Sequence, residues 1–166
     1  MNAGVAARVV VGALAASFIL TGIAQDLRPL PPVMRTITDE VGVLSAGEGS
    51  RLSQSLQEVL EVTGVRIALV ITETTSPEFI DDYAERLAQR WERDRGVDSE
   101  RMVFVIVAMH DREMEVLPGI SLGISQALLD ADVTGGLDVY FREKRHFQGL
   151  QILISRIRKV IVKKSP

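Results

Sequence analysis

Two short runs, Val65–Thr72 and Met102–Met109, constrain this chain more than any other feature: Arg66 and Thr72 are their only polar residues, and valine and isoleucine prevail. A β-branched apolar run without alternation has no face to give to water. It forms a strand covered on both sides, as in parallel sheets clothed by helices. Between the runs, Ile80, Tyr83, Ala84, Leu87, Ala88 and Trp91 recur at helical spacing, while the other positions from Glu78 to Arg95 are heavily charged. That is an amphipathic helix, and strand–helix–strand in this order is the unit of a parallel sheet.

The same pattern extends in both directions. An apolar stretch within Val33–Leu44 supplies a first strand. Ser45 with Glu48 three residues on is a capping box, Leu52, Leu56, Val59 and Leu60 form the helix face that follows, and Gly64 falls where a left-handed cap ends a helix. Ser76-Pro77 predicts the start of the second helix, with Ser as cap and Pro in the first turn, and Gly96-Val97-Asp98-Ser99 its end. His110-Asp111-Arg112 turns the second buried run into a half-exposed strand, Glu113–Leu117. Short helices are expected over Ile124–Leu129 and Val133–Phe141, and a last one over Phe147–Val162 with Leu150, Leu153, Ile154, Ile157 and Ile161 inward. The fold expected is an α/β three-layer α/β/α sandwich: a mixed, mostly parallel sheet of about four strands flanked by helices.

Ahead of this domain, Arg8 precedes Val9–Ile23, an apolar run interrupted only by Ser17 and Thr21. It suits a secretory leader, and Gly22-Ile23-Ala24 offers small residues for cleavage after Ala24; an uncleaved N-terminal anchor is the alternative. The expected organisation is a signal peptide or anchor over 1–24, a proline-rich linker over 25–35, one domain over 36–162 and a tail over 163–166. The product is expected to be periplasmic or secreted, or anchored at its N-terminus.

Composition removes many chemistries. Without cysteine there is no disulfide framework, thiolate metal site or cysteine nucleophile, and a net charge of −3 gives no field for nucleic acid. Phosphate-binding glycine loops, the GxSxG elbow and HExxH are absent. His110-Asp111 reads as a turn and His146, among Lys144 and Arg145, as solvated. Carboxylates gather in loops: Asp39 and Glu40, Asp98 and Glu100, Asp130 and Asp132. Converging at one sheet end, they could supply a hard cation such as calcium; otherwise they are caps and solvated loop charges. Arg156, Arg158, Lys159, Lys163 and Lys164 have no acid among them after Glu143. They either complement a helix dipole or touch an anionic membrane surface.

Ile37-Thr38-Asp39-Glu40-Val41-Gly42-Val43-Leu44-Ser45 resembles the opening signature of the TPM domain family. Thr63-Gly64 before a buried strand, the Tyr83-Ala84…Trp91 helix, Ala108 with Asp111-Arg112, and Phe141-Arg142 with Gly149-Leu150 follow in that family's order, so the resemblance spans about residues 36–161. It implies an α/β/α sandwich, exported or lumenal and often membrane-tethered, with some relatives calcium-binding or acid phosphatases. Two motifs depart from the family: Glu100-Arg101-Met102 replaces an Asp-Asn-Gly, and Leu117-Pro118-Gly119-Ile120-Ser121 lacks a carboxylate and a glycine. The expectation is therefore a non-enzymatic binding or accessory module of the envelope or a membrane complex, with an envelope or membrane protein as partner. The alternative is a metal-dependent, calcium-binding phosphatase using Asp39, Glu100 and Asp111.

Overall fold

The computed structural model describes residues 27–32, 36–96 and 98–164. The export segment expected over residues 1–24, its expected cleavage point and part of the expected linker lie outside the described residues. Strand β1 (Ile37–Asp39) is followed by α1 (Ala46–Thr63), β2 (Arg66–Thr72), α2 (Ile80–Arg95), β3 (Met102–Ala108) and β4 (Glu113–Pro118). Beyond the hairpin come α3 (Gln126–Leu128), α4 (Asp138–Arg142) and α5 (His146–Lys164). The sheet runs β1-β2-β3-β4, parallel through its first three strands and antiparallel at β4. This is the mixed, mostly parallel sheet and helix-flanked sandwich that the two apolar runs demand.

Alternation along the buried strands divides the interior into two cores. Ile67, Leu69, Ile71, Val103, Val105 and Val107 meet α1 and α5, whereas Ala68, Val70, Phe104 and Ile106 meet Tyr83, Leu87 and Trp91 of α2. Trp91 packs edge-on to Phe104 at 5.5 Å between ring centroids. The connections from β1 to β2 and from β2 to β3 step across the sheet in one direction, yet α1 and α2 cover opposite faces. Two crossovers of one hand would place both helices on the same face. These connections therefore have opposite hands, one of them the uncommon left-handed form.

Local signals account for both ends of α1 and for the end of α2. Ser45 and Glu48 form the capping box, the Glu48 carboxyl being held below its ordinary range by the Ser45 hydroxyl, and Gly64 and Gly96 end α1 and α2 at φ of 69° and 58°. Helix α2 starts later than Ser76-Pro77 predicts, at Ile80. There the Thr75 hydroxyl donates to the Glu78 carbonyl and the Glu78 N–H to the Thr75 carbonyl, closing a turn, and Phe79 is extended at φ −69° and ψ 151°, so the helix begins after it. The pair of short helices expected after the hairpin is likewise revised: α3 widens into a π-helical stretch, Leu129–Thr134, that buries Leu129 and Val133, and α4 begins only at Asp138. The linker is not fully detached. Pro31 is buried and Leu30 packs against the α2 core.

Candidate functional site

In open α/β sheets, ligands favour the crevice beyond the strand C-termini where adjacent connections leave to opposite faces. Here that point lies between β1 and β2. The buried Thr72 hydroxyl donates to Glu40 Oε2 at 2.8 Å, the Glu40 N–H donates to the Ile71 carbonyl at 2.9 Å, and an Arg28 guanidinium nitrogen is 3.7 Å from the same carboxylate. Nearby, on the α2 face, Tyr83 is fully buried and its hydroxyl has no hydrogen-bond partner among the described residues. Burial, helped by the Glu40 charge, pushes its pKa up to about 12. Arg86 forms an ion pair with Glu78 and also donates to the Arg28 carbonyl at 2.9 Å. This wedge fixes the linker to the sheet rim.

The three acids expected to share a metal are not brought together. Asp39 ends β1 and Asp111 follows β3, so both lie at the C-terminal end of the parallel strands, while Glu100 stands in the turn before β3, at the opposite end. The sequence carried this signal: in a parallel sheet, residues before and after strands fall at opposite ends. Asp39 is occupied, with Oδ1 accepting from the Val41 and Gly42 N–H groups at 3.2 and 2.8 Å and Oδ2 from Leu44 N–H at 2.9 Å. Asp111 accepts from the Thr74 hydroxyl and the Thr75 N–H, each at 2.8 Å, tying the hairpin to the loop after β2. Glu100 accepts from the Ser121 hydroxyl at 2.9 Å. Among the described residues no group of three His, Asp or Glu side chains is placed to hold a metal ion. A calcium ion wants six to eight unencumbered oxygens, and these carboxylates, separated and already accepting, do not fit it.

The strand C-termini do, however, border a cavity of about 630 Å³ between the β3–β4 hairpin and the start of α5. Val107, Met109, Met114, Leu137 and Phe141 give it apolar walls, and Arg112, Arg142, Lys144 and His146 add polar groups. His146, expected to be solvated, is instead half-buried beside Phe141 (5.9 Å between ring centroids), and its buried Nδ1 has no partner among the described residues. No periodicity marks these residues in the sequence, because hairpin turn, α4 and α5 meet only through folding.

The TPM domain model matches residues 37–160, three quarters of the chain and every strand of the sheet. The chain belongs to the TPM domain family. Solved structures share this fold at low identity. The BA42 protein of the psychrophilic bacterium Bizionia argentinensis is 21% identical, with a TM-score of 0.62 over 74% of this chain and 84% of that one. The N-terminal domain of a P. gingivalis protein is 20% identical, with a TM-score of 0.61 over 76% and 81%. That of the cg2496 protein of Corynebacterium glutamicum is 13% identical, with a TM-score of 0.59 over 80% and 85%. No curated protein matches this TPM chain.

Proposed function

We propose that this TPM domain is an exported binding or accessory module and not a metal-dependent phosphatase. One observation carries the reading: Asp39 and Asp111 spend their oxygens holding loops, and Glu100 stands at the far end of the sheet. Two-carboxylate or metal-assisted hydrolysis needs acids that converge on one reacting centre. Export is supported by the apolar run Val9–Ile23. Contact with a membrane or envelope partner is supported by α5: Arg156 is turned inward, donating to the Val133 and Gly135 carbonyls, while Arg158, Lys159, Lys163 and Lys164 are exposed. No described helix is long and apolar enough to cross a membrane, so tethering falls to the N-terminal segment or to this basic surface.

The test is release of p-nitrophenol from p-nitrophenyl phosphate with calcium, with magnesium or with chelator. Turnover indistinguishable among the three is expected. Metal-dependent turnover that Asp111→Asn abolishes, with the far-UV spectrum and melting curve kept, overturns the reading. Fractionation of cells producing the full chain checks export, the mature N-terminus being expected at Gln25. A cytosolic, full-length product refutes it.

A further inference from the structure

The cavity between the hairpin and α5 has a property that the β1–β2 crevice lacks. Seven described residues have φ in the left-handed region: glycines 42, 64, 96, 123 and 136, and two that are not glycine, Arg112 (60°) and Lys144 (59°). Both of the latter line this one cavity. A side chain at such φ costs about 1 kcal/mol relative to glycine, and strain of this kind gathers at ligand clamps. Neither cation forms an ion pair among the described residues. Arg142 on the same rim is paired with Asp138, and Glu113 is the other acid lining the cavity. His146, which opens α5, lines the same cavity, and its buried Nδ1 has no partner among the described residues. A ring N–H of the imidazole can donate to an anion, and a helix N-terminus favours the same sign of charge. The remaining wall is hydrocarbon and thioether from Val107, Met109, Met114, Leu137 and Phe141. At about 630 Å³ the space lies within the range of about 300–1,000 Å³ usual for small-molecule sites.

We propose that this cavity binds a small organic anion carried on an apolar body, its head group held by Arg112, Lys144 and His146 and its body against Met114, Leu137 and Phe141. The proposal deepens the binding-module reading by naming a ligand class. Its test reads binding alone, so failure here leaves the phosphatase result standing.

Octanoate, octyl phosphate, octanol and acetate are titrated into the full domain and followed by calorimetry and by amide and methyl chemical shifts. At least one of the two octyl anions is expected to bind one to one, shifting Met114, Phe141 and His146. Octanol and acetate are expected to bind about tenfold or more weakly. Whichever octyl anion binds tighter identifies the head group as carboxylate or phosphate. Arg112→Gly and Lys144→Gly suit the backbone at both positions, so they remove charge without endangering the fold. Each is expected to weaken octyl-anion binding about three- to tenfold while leaving the melting temperature unchanged or raised. His146→Phe, which keeps the ring against Phe141, is expected to weaken binding as well. The proposal is overturned if neither octyl anion binds, if octanol binds as tightly as they do, or if the Arg112→Gly/Lys144→Gly double variant binds like the parent.

Discussion

Replacing Asp39 by alanine separates a structural carboxylate from a ligand-binding one. The side chain accepts three backbone N–H groups, from Val41, Gly42 and Leu44, and so shapes the loop that delivers Ser45 to cap α1. A hydrogen bond to a charged group contributes about 1.5–3 kcal/mol when desolvated. Asp39 is only half-buried, and water can replace it on the exposed Val41 and Gly42 amides, so about 1 kcal/mol per bond is more apt. The total loss expected is about 2–4 kcal/mol, or a fall in Tm of roughly 5–12 °C for a domain of this size. Asp39→Asn retains one acceptor oxygen and should lose about half as much. Guanidinium unfolding reads this directly, because the one tryptophan, Trp91, is buried against Phe104 and reports on the sheet core. If Asp39→Ala loses less than about 0.5 kcal/mol while abolishing binding of calcium, the carboxylate is a ligand and the structural argument for it is wrong.

Two further outcomes follow from packing and charge. A Cβ on Gly119 would overlap the backbone carbonyls of Ser99 and Glu100, so Gly119→Ala should cost about 2–3 kcal/mol by denaturant unfolding, and a loss below about 0.5 kcal/mol would refute the close approach. Burial, reinforced by Asp81 and Asp130, raises the pKa of Glu115 above its ordinary 4.5. The folded state then binds protons more tightly than the unfolded one, so the penalty is absent below about pH 4.5, grows as pH rises toward the raised value and is complete above it. Glu115→Gln should therefore gain up to about 1 kcal/mol at pH 7 and nothing at pH 4, whereas a gain equal at both would refute the assignment.

The neighbourhood of Glu100 shows what folding adds to the sequence pattern. Asp39 and Glu100 look alike in the chain, each an acid in a loop beside an apolar run. One ends its strand and the other precedes it, so the parallel sheet separates them. The motif departures at Glu100-Arg101-Met102 and Pro118-Gly119 also prove to be one place: Gly119 donates to the Met102 carbonyl at 2.7 Å, pressing the end of β4 against the turn before β3.

The amino-acid order alone determined the elements and their buried faces, because strand alternation, helical period, the Ser45–Glu48 box and the glycines ending α1 and α2 act within a few residues of themselves. Membership of the TPM family was legible for the same reason, its signature being a loop that Asp39 closes locally. Tertiary structure decided the rest: the opposite hands of the two crossovers, and the meeting of Arg112, Lys144 and His146 around one cavity. Those outcomes depend on groups distant in sequence competing for the same space, a competition that no local periodicity records.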